Sequence, residues 1–170
     1  MLRQFYPSEY VDSAYGIDYK KLYDKGYRGI IFDIDNTLVP HGAPADTRSR
    51  ELFVQLKGIG YRVMLLSNNK EPRVKSFNDE VGAEYIFKAG KPSGKNYMAA
   101  MKRMNTTKDN TLFVGDQLFT DVWGANRIGI VTYLVKPIHP KEEIQIVIKR
   151  FFEKIVLYFY LRNKEKARKK

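Results

Sequence analysis

The segment Gly29-Ile30-Ile31-Phe32-Asp33-Ile34-Asp35-Asn36-Thr37-Leu38-Val39 constrains this chain more than any other. An apolar run, Ile30 to Phe32, ends in two aspartates one residue apart, and a threonine follows. Such a run reads as a short buried strand. Side chains two apart on an extended segment point the same way. Asp33 and Asp35 therefore project to one side of the strand's carboxyl end, where open α/β sheets bind ligands. Two carboxylates crowded together need a cation or a shared proton, and a divalent, oxygen-seeking ion such as Mg²⁺ is the usual remedy. The motif alone also fits a plainer reading, in which one aspartate caps a turn and the other is solvated.

Alternation along the rest of the chain supplies the architecture. Strands are expected at Arg28 to Asp33, Tyr61 to Leu66, Tyr85 to Phe87, Thr111 to Val114 and Ile130 to Val135. Helices are expected at Ile17 to Lys25, after a cap at Asp46 or Thr47 until Gly58 and Gly60 end it (Leu52, Phe53 and Leu56 apolar), at Pro72 to Val81, at Lys95 to Met104 (Tyr97, Met98 and Met101 inward) and at Thr120 to Arg127. Gly and Pro mark their ends. Residues 1–16, with Phe5, Tyr6, Tyr10, Val11 and Tyr15 around Pro7, read as an irregular, docked lead-in. Strands alternating with helices predict an α/β fold, a Rossmann-like three-layer sandwich around a five-stranded parallel sheet.

In a parallel sheet all strand carboxyl ends share one edge. Asp33 and Asp35 end the first strand, Ser67 the second, and Asp116 the fourth, with Asp121 close behind. Lys91 lies in the loop after the third. Carboxylates, a hydroxyl, a lysine and glycine-flanked loops at one edge suit phosphoryl transfer. Taken singly, Ser67 or Asp121 would serve as a helix cap and Lys91 as a solvated surface residue. The chain has no cysteine, which excludes thiol catalysis and a disulfide framework.

These motifs resemble those of the haloacid dehalogenase (HAD) superfamily of phosphatases. Asp33-Ile34-Asp35-Asn36-Thr37 is similar to its first motif, Leu66-Ser67-Asn68 to its second, Lys91-Pro92 to its third, and Gly115-Asp116 through Thr120-Asp121 to its fourth. The combination with Asn69, Gly90 and Gln117 resembles the subfamily IIIA phosphatases of the YqeG type, whose relatives include phosphatidylglycerophosphate phosphatases. The resemblance implies Asp33 as nucleophile and Asp35 as general acid and then base. It implies a Mg²⁺ site made by Asp33, the Asp35 backbone carbonyl and Asp116. Asp121 either reaches that metal through water or orients Lys91. Ser67, Lys91, Thr37 and the backbone amides near Asn36 and Asn68 would hold the phosphoryl group or its loop. Lys88 and Lys95 lie close to Lys91, but the Lys-Pro pair favours Lys91.

The spacings Asp33 to Ser67 and Ser67 to Lys91 leave no room for a cap domain, so an open site is expected, suited to phosphate displayed on something large. Residues 1–140 are expected to form the phosphatase domain and 141–170 a basic, aromatic-rich helix and tail. Every candidate site residue precedes Pro140. Phe151, Phe152, Ile155, Tyr158 and Phe159 fall on one helical face ahead of Arg162, Lys164, Lys166, Arg168, Lys169 and Lys170. Lys149, Arg150, Glu153 and Lys154 interrupt the run, which argues against a spanning helix. With a net charge of +11, the tail suits an interfacial helix on anionic lipid. It suits equally a helix packed on the sheet or a dimer seam. The amino terminus shows no secretory pattern. The expected enzyme is therefore a cytoplasmic phosphatase, peripheral on the inner face of the membrane, acting on phosphatidylglycerophosphate. Alternatives are a phosphatase for nucleic-acid ends or phosphoproteins, or a non-catalytic module that binds anionic surfaces. Oligomeric state is not legible.

Overall fold

The computed structural model describes residues 2–139 and 144–168, without the side chains of residues 144–147. The boundary drawn at Pro140 and the basic residues Lys169 and Lys170 lie outside the described residues. Six strands, β1 (Glu9–Val11), β2 (Gly29–Phe32), β3 (Arg62–Leu66), β4 (Glu84–Ile86), β5 (Thr111–Gly115) and β6 (Val131–Val135), form one sheet in the order β1-β6-β5-β2-β3-β4. Every pairing in it is parallel.

The central strands β2 and β5 are buried along their whole length. Their alternation feeds two cores. Ile30, Phe32, Leu112 and Val114 meet α1 (Tyr19–Asp24), α2 (Thr47–Ile59) and α3 (Glu71–Val81) on one face. Ile31, Met64 and Phe113 meet α4 (Lys95–Met104) and α5 (Trp123–Asn126) on the other. Burial on both faces is why these strands read as unbroken apolar runs. The helices start and stop where the sequence punctuates them. Asp46 caps α2 in a reciprocal box with Ser49, and Gly60 ends it at φ 111°.

Three local expectations are corrected. The lead-in is not wholly irregular: Glu9–Val11 adds β1 to the sheet's edge, with Glu9 opposite Tyr133, so the sheet has six strands rather than five. Three half-exposed residues carry too short a pattern to read. Long-range bonds fix them, Ser8 N to Thr132 Oγ1 at 3.0 Å and Thr132 N to Ser8 Oγ at 3.0 Å. In α4 the buried residues are Tyr97, Ala100, Met101 and Met104, and Met98 is 53% exposed. Spacing of three and four selects that stripe and leaves Met98 one position off it. The helix expected from Thr120 begins earlier, as a π turn at Leu118–Val122 that runs into α5.

No cap is present among the described residues: one loop and α2 connect β2 to β3, and α3 with β4 fills the stretch from β3 to the Lys91 loop. The final helix, α6 (Ile144–Arg168), packs by Val156 on Leu118, Val122 and Leu134. Lys164 pairs with Glu9 at 2.7 Å, and the Tyr160 ring meets Tyr6 edge-on. The packed side is not the aromatic one: Phe151, Phe152, Ile155, Tyr158 and Phe159 are all exposed. No described helix is long and apolar enough to cross a membrane.

Candidate active site

The edge formed by the strands' carboxyl ends gathers the acidic residues. Asp33 continues the ladder of β2, its N–H donating to Val114 O at 2.9 Å. The chain then folds over itself. Thr37 N and Leu38 N both donate to Ile34 O, at 3.2 and 2.9 Å, and Asn36 takes the left-handed conformation that asparagine tolerates. This tight loop places Thr37 beneath the carboxylates. Its hydroxyl donates to Asp116 Oδ1 at 3.1 Å and lies 3.5 Å from Asp33 Oδ2. The Asn36 amide donates to Val39 O at 2.7 Å, and its side-chain oxygen accepts from His139 N at 3.3 Å. The first bond closes the loop, and the second ties it to the chain that follows β6.

Lys91 is buried between two carboxylates, 2.6 Å from Asp33 Oδ1 and 2.7 Å from Asp121 Oδ1. Lys88 and Lys95 are exposed. Asn68 clasps the Lys91 backbone from both sides, accepting from Lys91 N at 2.8 Å and donating to Lys91 O at 3.2 Å. Ser67 Oγ accepts from Asn69 N at 3.1 Å. Asp121 orients Lys91 through one oxygen and accepts from Gln117 N through the other at 3.1 Å. It approaches β5 so closely that a Cβ on Gly115 would stand 2.5 Å from Asp121 Oδ2, which explains the glycine before Asp116.

Burial dominates the electrostatics. It pushes the Asp33 carboxyl up to about 7 against the pull of Lys91, with Asp121 adding repulsion. Asp116 is raised by burial and by Asp33, against the pull of Arg150. Burial draws Lys91 down, but Asp121 and Asp33 more than reverse it and keep the ammonium charged. Asp33, Asp116 and Asp121 each bring a carboxylate oxygen within 4.8 Å of the others. Three desolvated carboxylates with two cations between them leave excess negative charge, and their donors are all hard oxygens. The set fits a divalent cation of the Mg²⁺ kind.

Five of the expected site residues, Asp33, Asp35, Ser67, Asn68 and Lys91, line one cleft of about 230 Å³. Several partners escaped sequence reasoning. Arg73 of α3 reaches Asp35 Oδ1 by Nη2 at 2.9 Å and Nε at 3.2 Å, Gly42 N donates to the same oxygen, and Asn69 donates to Oδ2. Lys149 of α6 lines the cleft with Gln117 and Thr120. From the same helix, Arg150 grips Asp116 twice, at the backbone carbonyl and at Oδ2. Glu153 braces Arg150 at 2.9 Å and accepts from Leu118 N at 2.7 Å. The one signal for this pair was a charged i, i+3 couple inside an apolar run. In the sequence that couple reads only as an obstacle to crossing a bilayer.

Comparison with known proteins bears on the family and the fold. The HAD-hydrolase-like family model matches residues 88–143. A Bacillus subtilis (strain 168) protein named "Probable phosphatase YqeG" is 40% identical over 159 residues, 92% of each chain. Phosphatidylglycerophosphate phosphatase 1 of Arabidopsis thaliana is 30% identical over 142 residues, covering 77% of this chain and 40% of that protein. Among solved structures, NagD from E. coli K-12 superposes with a TM-score of 0.55 at 14% identity, over 71% of this chain and 91% of its own. At that identity the likeness speaks for the fold alone.

Proposed function

This chain belongs to the haloacid dehalogenase superfamily, among the phosphatases of the YqeG type, and from that premise we propose that it is a Mg²⁺-dependent lipid phosphatase that converts phosphatidylglycerophosphate to phosphatidylglycerol. The observation that carries the reading is the buried contact of Lys91 with both Asp33 and Asp121, at the floor of an uncapped cleft that Ser67 and Asn68 also line.

In this reading Asp33 is the nucleophile. Its carboxylate oxygen bonds to phosphorus as the ester oxygen departs, leaving an aspartyl-phosphate. Asp35 gives the departing alkoxide its proton, then takes one from the water that attacks phosphorus and frees Asp33. Arg73, Asn69 and Gly42 N hold Asp35 at the cleft wall for both steps. Lys91 places positive charge beside the nucleophile, and Ser67 offers a hydroxyl to the phosphoryl oxygens. Thr37 does not reach the phosphate in this account; it steadies Asp116. Asp33, the Asp35 backbone carbonyl, Asp116 and Asp121 would hold the Mg²⁺, which when bound neutralises charge on the transferring phosphoryl group.

The lipid substrate draws support from the name of the Arabidopsis relative, the absence of a cap and the chain's charge of +11. A capless cleft admits phosphate presented on a bulky carrier, and a basic protein concentrates at an anionic, peripheral membrane surface. A phosphate-release panel tests it. Phosphatidylglycerophosphate in mixed micelles is compared with a 3′-phosphorylated oligonucleotide, a phosphopeptide and sugar phosphates, each with EDTA, Mg²⁺ or Ca²⁺. The lipid should be hydrolysed fastest, EDTA should stop release, and Mg²⁺ should restore it better than Ca²⁺. Faster release from the oligonucleotide would replace the lipid with nucleic-acid ends as the substrate.

A further inference from the structure

A second concavity, of about 580 Å³, lies beside the catalytic cleft and is wholly apolar except at one point. Leu2 and Phe5 from the amino-terminal 3-10 turn form one wall, Phe119 and Trp123 form the base, and Phe152 and Ile155 of α6 form the other wall. The lining stays partly open to water: Leu2 is 38% exposed, Phe152 53% and Ile155 44%. The Phe5 ring sits 5.2 Å from Phe119 and 5.3 Å from Trp123, so the base is a stack of aromatic edges rather than a loose gap.

The groove and the cleft share their partition. Lys149 borders both. In the π turn, Phe119 faces the groove, and its neighbours Gln117 and Thr120 line the cleft. A ligand whose phosphate lies against Lys91 and Ser67 thus has apolar surface within reach on the other side of Lys149. Lys149 suits the junction chemically, with a methylene stem for the groove and an ammonium for the polar head of the ligand. A pocket of this size with one polar residue at its rim has the character of a small-molecule site.

We infer that this groove seats an acyl chain of the substrate while the phosphate occupies the cleft. The inference rests on the lipid-phosphate reading above and adds what that reading lacks: a site that distinguishes an acylated phosphate from the same headgroup without its chains. A flat bilayer would meet the outward rings of α6; an apolar groove that shares Lys149 with the cleft fits a single chain.

Trp123 is the chain's single tryptophan, so the groove carries its own reporter. Full-length protein is mixed with a short-chain phosphatidylglycerol, brominated in its acyl chains and kept below its aggregation concentration, so that no lipid surface exists. Trp123 emission should be quenched, and Phe152→Ser with Ile155→Ser should abolish the quenching. In kinetics, KM should fall as the acyl chains of monomeric phosphatidylglycerophosphate lengthen. The double variant should raise KM for the dihexanoyl substrate about tenfold or more, the scale of one lost apolar contact surface. Hydrolysis of para-nitrophenyl phosphate should stay unchanged.

Absence of quenching in the parent protein, or a KM indifferent to chain length, overturns the groove. So does a dimer in light scattering that buries this face and excludes the lipid. If the double variant fails to fold, the parent's quenching and chain-length series decide alone. The two levels separate cleanly. Quenching without any lipid hydrolysis removes the substrate reading and leaves the groove. Lipid hydrolysis that ignores chain length, without quenching, does the reverse.

Discussion

At the residue scale the site is a problem of crowded charge. Asp33 and Asp116 meet Asp121, with Lys91 and Arg150 as their bound cations. Asp33→Asn keeps the shape and removes the nucleophile, so turnover of every phosphomonoester should vanish while circular dichroism holds. Phosphate release near the parent rate would take Asp33 out of that role. Asp35→Asn should slow release by about 10²–10⁴-fold, the usual worth of a positioned acid and base. The same crowding sets a pH dependence. The Asp33 carboxyl rises from 3.8 to about 7 on folding without metal. Between those values the folded chain keeps a proton that the unfolded chain has released, so this group's contribution to stability falls as pH rises through the window. A divalent cation replaces that proton. Added Mg²⁺ should therefore raise the thermal midpoint more at pH 8 than at pH 5.5. An equal rise at both would mean that Asp33 carries no proton in the metal-free protein.

At the scale of elements, α6 is the part whose role changed most between sequence and structure. Its amphipathic face was legible from Phe151 to Phe159, because helical spacing is local. The grip of Arg150 on Asp116 was not, since it joins residues 34 apart in sequence and no local pattern announces it. Arg73 on Asp35 and the pairing of β1 with β6 were missed for the same reason. The buried strands and the five cleft residues were readable because a parallel sheet turns strand order into a single edge. Placing every site residue before Pro140 implied that loss of the tail would spare the chemistry. Arg150 and Glu153 argue otherwise. Arg150→Ala leaves a fully buried carboxylate without that counter-charge, a loss of about 3–5 kcal/mol for a buried pair. In a chain of this length that corresponds to a drop of roughly 10 °C in the metal-free midpoint. Removal of α6 should lower the midpoint at least as far, since it also strips Val156 from Leu118, Val122 and Leu134, and should slow hydrolysis of a soluble ester. Arg150→Lys should recover only part of it, because an ammonium cannot repeat the two-point grip. A truncated protein that hydrolyses a soluble ester at the parent rate with a parent-like midpoint would return α6 to the status of an appendage.

At the scale of the molecule, charge and apolar surface combine on one side. The chain carries a net charge of +11, and α6 ends in a basic stretch that includes Arg162, Lys164, Lys166 and Arg168. Beside that stretch Phe151 is 64% exposed and Tyr158 59%, outside both the cleft and the groove. Two forces with different salt dependence should hold such a surface on an anionic membrane. Each basic residue near the lipid contributes on the order of 1 kcal/mol, and this attraction fades within a Debye length of about 8 Å at physiological ionic strength. The aromatic rings bury in the interface and are indifferent to salt. Sedimentation with phosphatidylglycerol vesicles should therefore be nearly complete at low salt and partial at high salt. Phe151→Ser with Tyr158→Ser should erase the salt-resistant fraction and leave para-nitrophenyl phosphate hydrolysis unchanged, because neither residue touches the cleft. Binding that salt removes completely would reduce the contact to charge alone. Protein that ignores the vesicles and binds an oligonucleotide instead would assign the basic surface to nucleic acid and leave the exposed rings to a second copy of the chain.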